Sequence, residues 1–155
     1  MIKREDDGLW VVLSETIASH HEEVLACLTT SGGLTRWFPV AAEVDLRKGG
    51  SITLGWDEKM SRTTTIKVMD FNADGRMTWA WHPNRHPDLE VPVHWAVEPS
   101  VEEGSKVTLS EGPFDPAQTE MMIAMAEEAE SWRWQLCNLR TVLEVKHDMR
   151  RVRPL

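Results

Sequence analysis

The sequence predicts an α+β fold in which one curved antiparallel sheet grips a long C-terminal helix. Three observations predict it. Six consecutive segments between residues 42 and 111 alternate apolar and polar side chains, short turns join them, and an apolar stripe at helical spacing follows. A sheet with one apolar face needs a cover, and the C-terminal stretch is the only element long enough to supply it.

The elements follow in order. Leu9–Ile17 is rich in β-branched and aromatic residues and predicts a strand. Ser19 with Glu22 matches a capping box, and Val24, Leu25 and Leu28 predict a short helix over 20–29. Ser31-Gly32-Gly33 breaks it, and Leu34–Phe38 predicts a second helical turn that stops before Pro39. The meander opens with Ala42, Val44 and Leu46, turns at Lys48-Gly49-Gly50, and continues with Ile52, Leu54 and Trp56. Thr63–Phe71 carries Ile66 and Val68 on one face, and Ala73-Asp74-Gly75 is a hairpin signal. Met77, Trp79 and Trp81 alternate next, then Val91, Val93, Trp95 and Val97, then Val107 and Leu109.

Asp115 as N-cap and Pro116 at the first helical position start the terminal helix. Met122, Met125, Ala129, Trp132, Leu136, Leu139 and Leu143 form its stripe. Running to about His147, it would be ~48 Å long against the ~30 Å of a small domain. An overhang or a break in its first two turns is therefore expected. Residues 1–155 form one domain, and the basic stretch 148–155 is expected to be a flexible tail.

Composition narrows the function. A formal charge of −8 argues against a nucleic-acid binder. No apolar run approaches the ~20 residues that a bilayer crossing needs, and residues 1–8 do not read as a signal peptide, so no membrane partner is expected. Two cysteines, Cys27 and Cys137, make no disulfide framework, which predicts a cytoplasmic location. Both sit in amphipathic helices, where a thiol behaves as a small hydrophobe. Eight Trp and three Phe with no Tyr leave no phenol to act as a general acid.

Four segments carry a family resemblance. They are Ile17-Ala18-Ser19-His20-His21-Glu22-Glu23-Val24, Leu34-Thr35-Arg36-Trp37-Phe38, the Lys48-Gly49-Gly50 turn, and Ser131-Trp132 through Leu136 and Leu139 to Leu143-Glu144. In this order and at these distances they resemble the START-like (SRPBCC) superfamily with the helix-grip fold, shared with the birch-pollen allergen. Within it the chain is most similar to the activator of heat-shock protein 90 ATPase homologue-like group. Ser19 and Ser131 stand where that group often has Pro and Gly. The resemblance covers residues 8–148 and implies the fold, but no shared catalytic set. Its members include lipid and hormone carriers, polyketide cyclases and chaperone-activating domains.

Strand parity places Leu54, Trp56, Ile66, Val68, Trp79, Trp81, Val93 and Trp95 on the concave face. Met122, Met125 and Trp132 look down from the helix, and Trp37 joins them from the second helical turn. Indoles and pliable thioethers make a wall for a flat or apolar ligand, so these twelve residues are the expected pocket lining. The expected partner is a small apolar or aromatic molecule. The alternatives are a protein-interaction module, as a homodimer or chaperone partner, or a cyclase- or dehydratase-like enzyme.

An enzyme would need an acid–base pair inside the cavity, with Asp70, Glu90 and Glu111 nearest a pocket mouth. No nucleophile elbow, phosphate loop or dinucleotide fingerprint is present, so no catalytic residue and no cofactor are assigned. His82, His86 and His94 suggest zinc by number, but parity sends His82 and His94 to the convex side, so no metal site is assigned. His20 and His21, in a helix's first turn, are expected in solvent, and Glu127-Glu128-Ala129-Glu130 reads as a solvated helix face.

Overall fold

Residues alternating with the strand period pair into one antiparallel sheet of eight strands in the computed structural model, which describes residues 1–101 and 104–152. The strands are β1 (Ile2–Glu5), β2 (Gly8–Ile17), β3 (Ala41–Asp45), β4 (Ser51–Gly55), β5 (Thr63–Asn72), β6 (Arg76–Trp81), β7 (Val91–Pro99) and β8 (Ser105–Phe114). Helices α1 (His21–Thr29) and α2 (Ser31–Leu34) connect β2 to β3, and α3 (Thr119–Val145) follows the sheet. The spatial order β1-β2-β8-β7-β6-β5-β4-β3 keeps the meander intact and closes β2 against β8, from Leu9↔Phe114 to Ile17↔Ser105. This is the helix-grip α+β fold.

Parity holds through the meander. Ile52, Leu54, Ile66, Val68, Trp79, Val91, Val93, Val107 and Leu109 are fully buried, whereas Lys67 and His94 face out. Each such apolar side chain contributes on the order of 1.5–3 kcal/mol. The hairpin between β5 and β6 needs Gly75, whose φ of 106° lies in the region L side chains avoid, and whose Cβ would press on the Val97 carbonyl.

Four expectations are corrected. Strand β1 is an addition: all four of its residues are exposed, so no apolar alternation announces it, and only its pairing with β2 defines it. Ser19 does not cap α1. His20 is the N-cap, with no side-chain cap bond, and the Ser19 hydroxyl donates instead to Glu23 Oε2 at 2.7 Å. Helix α2 starts at Ser31 rather than Leu34, because Thr30 Oγ1 accepts the Gly33 N–H at 2.9 Å. A Cβ at Gly33 would strike the Ala26 carbonyl, so the glycine that looked like a breaker lets α2 pack on α1.

Helix α3 begins at Thr119, four residues after the expected cap. Asp115 spends its carboxylate on Ala117 N–H and Gln118 Nε2, both at 2.9 Å, in a turn that precedes the helix. The remaining 27 residues span about 40 Å, which removes much of the expected overhang. The basic stretch opens with a turn after α3. Asp148 accepts the Arg150 N–H at 3.0 Å, and the Arg150 guanidinium donates to the carbonyls of Thr35 at 2.8 Å and Pro39 at 2.9 Å. Residues 153–155 of that stretch lie outside the described residues.

Candidate functional site

Where α3 and the sheet diverge, a cleft of about 1040 Å³ opens between the β4–β5 end of the sheet, the 82–87 loop and the turn after α3. Its wall is aromatic. Phe38, delivered by the turn after α2, stacks on Trp132 at 5.5 Å and lies 5.6 Å from Trp56. Trp81, at the end of β6, sits 5.2 Å from Trp132. Edge-on and tilted contacts continue inward from Trp132 to Trp95 at 5.6 Å and from Trp95 to Trp79 at 5.2 Å. Such pairs add about 0.5–1.5 kcal/mol each beyond area burial.

Of the twelve expected lining residues, the structure brings Trp56, Trp81 and Trp132 to the cleft. Trp37, Leu54, Ile66, Val68, Trp79, Val93 and Trp95 are close-packed in the core behind them. Met122 and Met125 are half-buried against that core, away from the cleft. Trp37 is fixed there by its indole N–H, which donates to the Cys27 carbonyl at 2.8 Å, and by Asn138 Nδ2, which donates to the Trp37 carbonyl at 2.8 Å.

Glu128 was expected in solvent and is 2% exposed. The buried face of α3 runs through Ala124, Glu128, Trp132, Leu136 and Leu139, so the acid occupies a core position. Two donors make that burial tolerable: Trp81 Nε1 to Oε2 at 2.8 Å, and the Asn84 backbone N–H to Oε1 at 3.0 Å. Burial outweighs both bonds and raises the Glu128 pKa. Spacing held the signal, since Glu128 lies four residues before Trp132 on one stripe.

Glu111, on β8, is fully buried beneath Trp132, whose Nε1 donates to Oε2 at 3.0 Å. Its Oε1 has no partner. Burial, and secondarily the nearby Glu128 charge, push this carboxyl up to about 9, so it is a neutral acid at pH 7. Glu111 is not among the residues lining the cleft, whereas Glu128 is. Asp70 and Glu90 are exposed and stand outside the lining too.

Gln135 lines the cleft one helical turn from Trp132, with its Oε1 buried and unpartnered. An orphaned buried acceptor costs about 1–3 kcal/mol. Gln135→Met keeps the length and removes the orphan, so calorimetry should show a gain of about 1 kcal/mol, or a Tm about 2–4 °C higher. A lower Tm would mean that the amide is satisfied in solution.

The histidines do not converge. His82 Nδ1 lies 2.7 Å from the Leu89 carbonyl, and His94 Nδ1 lies 2.8 Å from Thr78 Oγ1, with its ring stacked on Trp10 at 5.7 Å. His86 bridges Glu127 at 3.1 Å and Glu120 at 3.4 Å, and the Glu127 bond foremost raises its pKa. Among the described residues no group of three or more His, Cys, Asp or Glu is placed to hold a metal ion. His20 is exposed, but His21 is half-buried against the sheet, with Nε2 2.9 Å from the Val97 carbonyl. Cys27 is buried, which raises its thiol pKa, and neither cysteine is disulfide-bonded.

Solved structures share this fold at low identity. The protein SSP2350 from Staphylococcus saprophyticus superposes with a TM-score of 0.74 at 18% identity, covering 91% of this chain and 96% of that one. The Aha1 dimer from Colwellia psychrerythraea gives 0.67 at 18%, covering 88% and 96%. DynU16, a protein of the dynemicin biosynthetic locus, gives 0.70 at 20%, covering 92% of this chain and 49% of that one. No curated protein matches the chain. Residues 18–144, from the entry to α1 through the last turn of α3, match the family described as Activator of Hsp90 ATPase homolog 1-like protein, and the chain belongs to that family.

Proposed function

We propose that the chain binds a small, flat, mainly apolar molecule in the cleft, as a carrier or sensor in the cytoplasm. The observation that carries this reading is the aromatic wall of Phe38, Trp56, Trp81 and Trp132 opening on a space of about 1040 Å³. That volume is at the upper end of what small-molecule sites occupy, and the aromatic residues give it an apolar wall beside polar side chains such as Thr64, Asn84, Ser131 and Gln135. Two free cysteines suit a reducing compartment. Among the described residues no helix is long and apolar enough to cross a membrane.

Native mass spectrometry of freshly purified protein tests the proposal. The expected result is a co-purified small molecule that is absent from Ser131→Phe, a variant that fills the cleft from an exposed position on α3. Bare protein, with no quenching of Trp fluorescence across a panel of aromatic compounds, would overturn it.

One observation favours an enzymatic second reading. Glu128 lines the cleft with a carboxyl that burial keeps protonated to higher pH, the state a general acid requires. A cyclase or dehydratase acting on a bound ketone would use it. Conversion of such a ketone by wild-type protein and not by Glu128→Gln would favour that reading. A homodimer or chaperone-partner role has less to draw on among the described residues. The large exposed apolar side chains, among them Ile2, Val40, Met69, Ile123 and Val145, are spread over β1, the segment before β3, β5 and the two ends of α3.

A further inference from the structure

Charge is unevenly distributed around the cleft. The chain carries a formal charge of −8, yet Arg62, Arg85, Arg150 and Arg151 all line this one space. The carboxyls facing them are Glu128 and Asp148. Asp148 is paired with Arg150 at 2.8 Å, and Glu128 is 2% exposed, its two oxygens turned to the Trp81 indole and the Asn84 N–H rather than to an arginine. Arg62 is partly offset by Asp57, 4.0 Å away. Arg85 and Arg151 form no ion pair among the described residues, and both are exposed at the rim.

Both cations stand on clamped backbone. Arg85 holds a left-handed φ of 68°, a conformation that non-glycine residues rarely adopt. Its neighbours hold it there: the Asn84 N–H is bound to Glu128, and His86 is bound to Glu127 and Glu120. Arg151 follows Arg150, whose guanidinium is fastened to the carbonyls of Thr35 and Pro39. Cations fixed over a low-dielectric aromatic wall focus their field into the cleft.

We infer, resting on the small-molecule reading above, that the ligand is a planar aromatic anion. Its rings lie against Phe38, Trp56, Trp81 and Trp132, and its acid group, a carboxylate or sulfonate, is held at the mouth by Arg85 and Arg151. Guanidinium is the side chain best matched to such groups, through paired N–H donors.

A matched pair of dyes tests this: 1-anilinonaphthalene-8-sulfonate and its neutral parent N-phenyl-1-naphthylamine. Both are titrated into wild type, Arg85→Asn/Arg151→Gln and Ser131→Phe. Asn is chosen at position 85 because it tolerates the left-handed backbone. Wild type is expected to bind the sulfonate about tenfold more tightly than the parent at about 0.02 M salt, an advantage largely lost at about 0.5 M. The double arginine variant should lose the same advantage while binding the parent unchanged, and Ser131→Phe should bind neither. Equal affinity for the two dyes, unmoved by the arginine changes, overturns the anionic inference and leaves the small-molecule reading standing. Binding of neither dye to wild type, or undiminished binding to Ser131→Phe, overturns both.

Discussion

Trp132→Ala is expected to cost about 3–5 kcal/mol, from a domain stability of about 5–15 kcal/mol. The indole is 2% exposed and is shared by Phe38, Trp81 and Trp95, all within 5.6 Å between ring centres, so its removal opens a cavity that none of them can refill. It also removes the donor to Glu111 Oε2, leaving both oxygens of a buried carboxyl without partners. Trp132→Phe separates the two effects. It keeps a smaller aromatic ring while losing the N–H and part of the indole's volume, so its cost should be lower, about 1–3 kcal/mol. Urea titrations of the three proteins measure the split, and a phenylalanine variant as stable as wild type would show that Glu111 gains nothing from the indole.

Stability is expected to fall as pH rises, with Glu111 the principal cause. Its pKa is about 9 in the fold against an ordinary 4.5, so between those values the native state holds a proton that the unfolded state has released. Stability is therefore greatest below about 4.5, as far as this group is concerned, and declines by about 1.4 kcal/mol per pH unit up to about 9. Glu128, raised by burial, acts in the same direction, and so does His86, raised by its two glutamates. Glu111→Gln isolates the first contribution. It should unfold much like wild type near pH 5 and resist urea better at pH 8.5, with a slope shallower by about 1.4 kcal/mol per unit. Parallel pH profiles for the two proteins would mean that Glu111 is ionised in the native state.

The sheet was legible because period-two alternation is strong wherever one face is dry: Ile66 and Val68 with Lys67 between them, or Met77 and Trp79 on either side of Thr78. Local rules failed where tertiary contacts decide. Gly33 reads as a helix breaker until the Ala26 carbonyl is seen beneath it. Strand β1, Ile2-Lys3-Arg4-Glu5, has no dry face at all, so nothing in its pattern distinguishes it from a loop. The aromatic part of the cleft was readable as strand parity for Trp56 and Trp81 and as helical spacing for Trp132. Parity alone does not separate a wall from a filled interior, which is why Trp79 and Trp95 carried the same signal from the packed side. The polar part was hidden because Glu128 and Gln135 are ordinary surface residues by type. Only tertiary structure turns them inward: Glu128 meets donors from β6 and the 82–87 loop, and Gln135 falls on the buried face of α3.

The seam between β2 and β8 bears on how the chain is made. Leu9 must wait for Phe114, and Ile17 for Ser105, before the sheet can close, so this pairing is among the last that translation permits. In the meantime Trp79 and Trp81 have emerged with no helix to shield them, since α3 is not complete until Val145. At about 5–20 residues per second, roughly 3–13 s separate Trp81 from the end of that helix. The hazard to this protein is thus concentrated in a few seconds at the ribosome, when a greasy half-sheet with a free edge is open to its neighbours on the same message.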